Sequence, residues 1–189
     1  MNRALRYILE NGQVNHRIMI LSCKNIKEAH AYCKIHNVPG IIAGPAIENF
    51  IKKSLNMEKN LPSDCIGDIN KNGINYEVKM SNGGKTHCKF NFVQIRFNHT
   101  CSYIFTAYHL SKNNIKRNGD LYIFLIDKNN LKYLVLKYGN YAHGSITNNG
   151  LITIESLKNS DKEYSLRPKF GDKCWKDMMK FRIYLKKYH

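Results

Sequence analysis

The sequence predicts one α/β (α+β) domain in which helices flank a mixed β-sheet. Three observations support this fold class. The first part of the chain has helical apolar spacing, the middle is rich in aromatic and β-branched residues, and an amphipathic segment closes it. Helices and strands that are segregated along a chain are typical of a sheet covered by helices. The 189 residues, 43% of them hydrophobic, suffice for one core, so we expect a single domain over residues 1–189.

Three helices are predicted before the sheet. Residues 3–10 form a short amphipathic stretch, and residues 25–36 repeat apolar side chains at helical spacing until Val38-Pro39-Gly40 interrupts them. Gly44-Pro45 marks the start of the third helix, because proline suits the first helical turn. Glu48 lies at the edge of the buried stripe of this helix, which comprises Ile47, Phe50, Ile51 and Leu55.

A β-hairpin is predicted around Asn72-Gly73, since both residues tolerate the positive φ that a two-residue turn requires. With this loop, Ile69 pairs with Tyr76 and Asp68 falls opposite Glu77. Side chains alternate along a strand, so Asp68, Glu77 and Lys79 share one face of the hairpin. The other face carries Ile69, Tyr76, Val78 and Met80. We therefore expect an apolar face toward the core and a second face that gathers two carboxylates and an ammonium group.

Further strands are predicted at residues 90–97 and 103–108. A second hairpin is predicted to join residues 121–126 to residues 131–138 around Asp127-Lys128-Asn129-Asn130. Residues 172–187 are predicted to form an amphipathic closing helix. Its apolar residues are interpreted as core packing and not as a base-stacking platform; they include Trp175, Met178 and Met179.

The formal charge of +16, from 30 Lys and Arg against 14 Asp and Glu, predicts a polyanionic partner. Nucleic acid is the leading candidate and an anionic membrane is the second. No apolar run reaches the roughly 18 residues needed to span a bilayer, and Met1-Asn2-Arg3 does not lead into a signal-peptide core. We therefore expect a cytoplasmic protein of a microbial or virus-infected cell.

The six cysteines are scattered without a Cys-x-x-Cys pair, which argues against a structural zinc site. In a cytoplasmic protein we expect reduced and mostly buried thiols. His87-Cys88 and the pair of His99 with Cys101 are of zinc-ligand type, but the missing second pair disfavours zinc.

Two carboxylates that oppose each other on a sheet repel, and a protein that keeps such a pair usually places a cation there. Mg²⁺ prefers one or two carboxylates together with water and phosphate oxygens, so Asp68 and Glu77 predict Mg²⁺, with Mn²⁺ as a substitute. Lys79 beside them completes a layout suited to phosphodiester cleavage, which requires an in-line water and neutralised phosphate charge. The alternative is a solvated hairpin of ordinary surface residues.

These residues resemble the PD-(D/E)xK nuclease superfamily, which includes type II restriction endonucleases and the mismatch-repair nicking endonuclease. The resemblance rests on Glu48 in Gly44-Pro45-Ala46-Ile47-Glu48, on Asp68 in Gly67-Asp68-Ile69 and on Glu77-Val78-Lys79, within about residues 44–96. It implies a restriction-endonuclease-like sheet with a catalytic core at about residues 44–108. It also implies that Glu48, Asp68 and Glu77 bind the metal and that Lys79 orients or activates the attacking water.

The chain departs from the family pattern at one position, because Gly67 stands where the family usually has proline. Asp64 in Pro62-Ser63-Asp64 is the alternative metal ligand to Asp68. In the two-residue register Asp64 faces Ser81, which is roughly 13 Å along the strand from Glu77 at about 3.3 Å per residue. Asp68 is therefore the preferred ligand.

Several polar residues after the hairpin are predicted to contact DNA. Ser81, Asn82, Gly84 and Lys85 form either a phosphate-approaching loop or a plain flexible turn. Alternation along residues 90–96 places Gln94 and Arg96 on one face and Asn91 on the other. Restriction enzymes that the chain resembles also carry a glutamine-bearing strand after the lysine. A last predicted contact, which is either a recognition loop or a structural turn, is the segment with His143 and Ser145.

The sequence thus predicts a metal-dependent endonuclease that hydrolyses phosphodiester bonds in double-stranded DNA. The resemblance favours a type II restriction endonuclease that recognises a short sequence, and with it a cognate methyltransferase acting on the same site. Two alternatives stay open: a structure-selective repair or recombination nuclease, such as a junction resolvase or nicking enzyme, and a noncatalytic nucleic-acid-binding module. Cleavage of both strands is compatible with a homodimer or with a monomer that acts twice.

Overall fold

The computed structural model describes residues 14–61, 66–83, 88–111, 118–143, 149–159 and 162–185. The predicted helix at residues 3–10 lies outside these ranges. Within them the helices are α1 (His16–Leu21), α2 (Ile26–Ile35), α3 (Gly40–Leu55), α4 (Lys128–Tyr138) and α5 (Lys173–Met178). The strands are β1 (Glu58–Lys59), β2 (Ile69–Lys71), β3 (Ile74–Ser81), β4 (Phe92–Ile95), β5 (Ser102–His109), β6 (Asp120–Ile126), β7 (Asn140–Tyr141), β8 (Tyr164–Leu166) and β9 (Arg182–Ile183). None of these helices combines the length and apolarity needed to cross a bilayer.

The strands form two sheets. The larger sheet has the order β1-β2-β3-β5-β6-β9, and the smaller one has the order β4-β8-β7. Strands β3 and β5 pair in parallel, whereas the other pairs of the large sheet are antiparallel. The large sheet is therefore mixed and flanked by helices, which confirms the predicted α+β fold class.

The two faces of the large sheet are covered by different layers. Helices α1 to α3 pack on one face around a cluster that includes Ile20, Ala29, Ile47, Ile51, Ile69 and Ile104. The small sheet, α4 and α5 cover the other face around Phe92, Tyr103, Phe105, Phe124, Leu134 and Trp175. Trp175 and Met178 are buried in this second cluster, as core packing predicts.

Helix α2 lies within the predicted range, and its N-cap residue Asn25 accepts a hydrogen bond from the Glu28 amide at 2.9 Å. Helix α3 begins at Gly40 and not at Gly44-Pro45, so the predicted start is wrong. Pro39 precedes its first turn, and Pro45 lies inside the helix. Burial of Ala43, Ala46 and Ile47 against the sheet offsets the hydrogen bond that Pro45 removes.

The second predicted hairpin is wrong, because residues 128–138 form helix α4. The Asp127 carboxylate caps this helix by accepting from the amides of Asn129 at 2.9 Å and Asn130 at 3.0 Å. The buried residues Leu131, Leu134 and Val135 follow at helical spacing. The polar residues 127–130 suit a hairpin turn, but in this structure they begin a helix.

The C-terminal helix is shorter than predicted. Helix α5 ends at Met178, a 3₁₀ turn follows at Met179–Phe181, and β9 then pairs with β6 through Ile123 and Ile183. Hydrogen bonds to the open edge of β6 replace the further helical turns that amphipathic spacing predicts.

Candidate functional site

The hairpin folds in the predicted register. Asn72 and Gly73 have φ values of 51° and 79°, as the two-residue turn requires. Ile69 pairs with Tyr76 and Lys71 with Ile74. Ile69 and Tyr76 are buried beneath the helices, so the face with Glu77 and Lys79 points the other way.

Asp68 directly precedes β2 and makes two hydrogen bonds to β3. Its amide donates to the Tyr76 carbonyl at 2.9 Å, and its Oδ2 accepts from the Val78 amide at 2.8 Å. These two bonds hold Asp68 next to Glu77, but the pairing of β2 with β3 ends at Ile69 and Tyr76, so the direct pairing of Asp68 with Glu77 stays a prediction. Because β2 begins only at Ile69, the Asp68 side chain supplies the acceptor that a longer strand would have offered to Val78.

Gly67, the residue before Asp68, has a backbone conformation that excludes proline. Its φ is +115°, whereas proline is held near −65°. A Cβ at this position would lie 2.8 Å from the Tyr76 carbonyl oxygen and 3.3 Å from Cys101 Cβ. Only glycine therefore fits the close approach that leads into Asp68.

Lys79 and Glu77 form an ion pair on the polar face of β3. The Lys79 ammonium donates to Glu77 Oε1 at 2.6 Å, and the two side chains are only 17% and 15% exposed. Such a mostly buried pair holds each group in one position more firmly than a solvated pair does.

Glu48 approaches the hairpin from helix α3. Its Oε1 lies 3.5 Å from the Lys59 ammonium of β1. Burial and the nearby charge of Asp68 raise the pKa of Glu48, against the lowering effect of Lys59, and Glu77 raises it further. Burial and the charge of Glu77 raise the pKa of Asp68, although the Val78 amide and Lys79 oppose the shift. The three carboxylates therefore sense one another's negative charge.

This donor set fits a hard divalent cation. Burial is the first cause of the raised pKa values of Glu48 and Asp68, and the charge of a neighbouring carboxylate is the second, whereas Lys59 and Lys79 act in the opposite direction. Carboxylate oxygens are the ligands that Mg²⁺ and Mn²⁺ prefer. Among the described residues the oxygens of Glu48, Asp68 and Glu77 do not all lie within 4.8 Å of one another, so a shared ion is an expectation from their chemistry.

A tighter ligand group lies beside this one. Among the described residues, the ligand atoms of Glu77, His99 and Cys101 all lie within 4.8 Å of one another, and Glu48 is not part of that group. Cys101 is 2% exposed, and burial followed by the charges of Glu77 and Asp68 raises the pKa of its thiol to about 12. The sequence held only a weak signal for this group, the His99 and Cys101 spacing, and none that linked it to Glu77.

Some of the predicted DNA-contacting residues after β3 make polar contacts within the protein. Ser81 Oγ accepts from the Asn91 amide at 3.0 Å, and Asn91 Oδ1 accepts from Arg167 Nε at 3.2 Å. Asn82 Oδ1 lies 2.7 Å from His30 Nδ1, so its amide is directed toward helix α2. Three predicted contacts and the alternative metal ligand lie outside the described residues: Gly84, Lys85, Ser145 and Asp64.

The predicted alternation along β4 is wrong. Gln94 has a φ of 58°, and the register with β8 shifts between Phe92 and Ile95, both of which are buried. Gln94 is exposed, whereas Arg96 is turned toward Glu163, which accepts from its Nε at 2.7 Å. Gln94 and Arg96 therefore do not present one common face.

Glu163, which sequence analysis missed, links two predicted DNA contacts. It accepts from Arg96, and its Oε2 lies 3.2 Å from His143 Nε2. Burial alone would raise the pKa of Glu163, but Arg96 and His143 together lower it. A cavity of about 420 Å³ at this place is lined by Gln94, Tyr141, His143, Asn149, Lys162 and Glu163.

The hairpin site offers carboxylate ligands for a divalent cation and an ammonium group held next to one of them. This combination is chemically suited to a phosphate ester, whose negative oxygens both cations attract. The cavity at Glu163 offers amide, imidazole and carboxylate groups on the second sheet. Comparison of the chain with protein-family models, curated proteins and solved structures gives no match.

Proposed function

We propose that the protein is a metal-dependent endonuclease that hydrolyses phosphodiester bonds in duplex DNA. The observation that carries the proposal is the convergence of Asp68, Glu77 and Lys79 at one end of the hairpin, with Glu48 close enough to sense their charge. In a hairpin of ordinary surface residues, the Lys and Glu side chains would be solvent-exposed. Lys79 and Glu77 are instead mostly buried. The net charge of +16 supplies attraction to phosphate that does not depend on sequence.

Each residue of the site has a separate role in the proposed mechanism. Glu77 holds the Lys79 ammonium at 2.6 Å, from where Lys79 donates to the attacking water or to the scissile phosphate. The Val78 amide fixes the orientation of the Asp68 carboxylate. Glu48 and Lys59 close the site from α3 and β1. When bound, a divalent cation neutralises phosphate charge and acidifies water.

Within this class we propose a type II restriction endonuclease. Gln94 and His143 support sequence reading, because they line one cavity and both are exposed. Glutamine and histidine side chains offer donors and acceptors for base edges in the major groove. The proposal includes a cytoplasmic location, a homodimer for cleavage of both strands and a cognate methyltransferase that protects the host site.

Incubation of the purified full-length protein with supercoiled plasmid and Mg²⁺ tests this function. We expect cleavage by the wild type and its loss in Glu77→Gln and Lys79→Ala, with salt-sensitive DNA binding retained. Glu155→Gln and Lys158→Ala are matched controls, since these residues form an exposed ion pair at 2.9 Å outside the site. Full cleavage by Lys79→Ala contradicts the site.

The pattern of products separates the competing functions. Discrete fragments support sequence-specific restriction. A single nick, or cleavage of branched DNA alone, supports a structure-selective repair or recombination nuclease. DNA binding without cleavage at any concentration of Mg²⁺ or Mn²⁺ supports a noncatalytic binding module.

A further inference from the structure

We propose that Glu77, His99 and Cys101 form a second metal site, which takes a borderline-soft divalent cation of the Zn²⁺ class and leaves one coordination position open. Their ligand atoms all lie within 4.8 Å of one another. It differs in its ligand types from the proposed carboxylate site of Glu48, Asp68 and Glu77, and the two sites share Glu77. Its existence does not depend on nuclease activity.

The separations of the three ligand atoms are within reach of those in a tetrahedral zinc site. With bonds of about 2.0–2.3 Å from zinc to oxygen, nitrogen and sulfur, neighbouring ligand atoms lie roughly 3.5 Å apart. Because the ligand atoms lie at most 4.8 Å apart, they need to approach one another by at most about 1.3 Å to reach that spacing. Three protein ligands and an open fourth position are the arrangement of catalytic rather than structural zinc.

His99 supplies an independent observation that points to a ligand. Its Nδ1 is buried and has no hydrogen-bond partner in the part of the chain that the structure describes. A buried ring nitrogen without a partner is costly, and native structures rarely keep one without a reason. A cation bound at Nδ1 would satisfy this nitrogen, and the same ion would stabilise the Cys101 thiolate.

The tertiary structure places Cys101 against the hairpin. Cys101 directly precedes β5, whose first residue, Ser102, pairs with Tyr76. The Cys101 Cβ lies 3.3 Å from the position that a Gly67 Cβ would occupy. The parallel pairing of β3 and β5 therefore brings the thiol to the same face of the sheet as Glu77.

The donor set selects the metal. Mg²⁺ and Ca²⁺ take oxygen ligands, whereas a thiolate with an imidazole favours Zn²⁺. Because Glu77 belongs to both sites, a Zn²⁺ ion at His99 and Cys101 competes for the carboxylate that the first site uses. Zn²⁺ should therefore inhibit Mg²⁺-dependent cleavage, a consequence that rests on the proposed function.

Metal titration of the full-length protein tests the site without reference to cleavage. Co²⁺ serves as the spectroscopic probe, since a cobalt thiolate bond gives a charge-transfer absorption, and competition with a chromophoric chelator measures Zn²⁺ affinity. We expect one ion per chain in the wild type. Cys101→Ser should lose the charge-transfer band, and both Cys101→Ser and His99→Gln should bind Zn²⁺ at least about tenfold more weakly, as loss of a direct ligand implies.

Cys174→Ser is the matched control, because Cys174 is another buried thiol, 6% exposed, in helix α5. It should retain both the band and the affinity. His99 is only half-buried, so His99→Gln keeps the test decisive if Cys101→Ser fails to fold by circular dichroism. Zn²⁺ affinity that is unchanged in His99→Gln, or a wild type without the charge-transfer band, overturns the site.

A cleavage assay then separates this proposal from the previous one. If the wild type cleaves DNA, inhibition by Zn²⁺ should require at least about tenfold more ion in His99→Gln than in the wild type. Equal inhibition of both proteins contradicts the shared use of Glu77. Zn²⁺ binding that requires His99 and Cys101 in a protein that never cleaves DNA supports the metal site and refutes only the nuclease.

Discussion

Asp68 accepts a hydrogen bond from the Val78 amide at 2.8 Å, one residue before strand β2 begins at Ile69. The carboxylate therefore completes the edge of the hairpin, and its charge is the second cause, after burial, that raises the pKa of Glu48 on helix α3. One side chain has a structural and an electrostatic role, and different substitutions separate them.

Asp68→Asn and Asp68→Ala should differ in stability but not in activity. Asparagine keeps an oxygen that accepts from Val78, whereas alanine leaves this half-buried amide without its partner at a cost of about 1–3 kcal/mol. Both variants lack the charge and should lose cleavage. Urea unfolding measures the stability difference and a plasmid assay the activity. Equal stability of the two variants would show that water replaces the carboxylate at Val78.

The carboxylate site should destabilise the metal-free protein as the pH rises. The folded pKa values of Glu48 and Asp68 are raised above their ordinary values of 4.5 and 3.8, so the folded protein holds more protons than the unfolded one in this range. The stability that these two carboxyl groups contribute is therefore fully present below their ordinary pKa values. It is lost as the pH rises through their pKa values in the folded protein. Thermal unfolding should show that Mg²⁺ stabilises the protein more at pH 7 than at pH 4, and that Asp68→Asn reduces this difference. An Mg²⁺ effect that is independent of pH would contradict the site.

His30 should produce a pH dependence of opposite sign. It is fully buried, with Nδ1 2.7 Å from Asn82 Oδ1 and Nε2 3.1 Å from Thr106 Oγ1. Burial lowers its pKa from 6.5 to about 4, against the raising effect of the Asn82 hydrogen bond. Below pH 6.5 the His30 imidazole binds a proton in the unfolded chain but not in the folded protein. The free energy of unfolding should therefore fall by up to about 3 kcal/mol as the pH is lowered from 6.5 to 4.

The variant His30→Gln isolates this contribution, because glutamine does not titrate. The difference in unfolding free energy between wild type and variant should shrink as the pH falls from 6.5 to 4, as measured by urea unfolding at several pH values. A difference that stays constant over this range would mean that His30 is not the group responsible.

Gln94→Gly should stabilise the protein and weaken its discrimination between DNA sequences. A side chain at φ 58° costs roughly 1 kcal/mol relative to glycine, and this strain is kept at an exposed residue that lines the cavity at Glu163. Asn72→Gly is the control, since asparagine tolerates φ 51° and should gain much less. Urea unfolding and competition binding with several duplexes measure the two effects. Unchanged discrimination by Gln94→Gly would remove Gln94 from the DNA contacts.

Local sequence signals succeeded where neighbouring residues decide the structure. Asn72-Gly73 sets the hairpin register because the turn geometry depends on those two residues alone. The segment 127–130 shows how such a signal fails, since Asp and Asn residues suit both a turn and a helix start. The apolar residues Leu131, Leu134 and Val135 resolve this ambiguity only when their burial is known.

The chain by itself determined the positive charge, the hairpin register and the face that Glu77 and Lys79 share, since all three depend on composition or on residues a few positions apart. The tertiary structure alone decided that His99 and Cys101 meet Glu77 and that Glu163 holds Arg96. These contacts join distant segments through the parallel pairing of β3 with β5 and the pairing of β4 with β8. Such pairings depend on loop closure and on packing over a shared core, which local spacing does not encode.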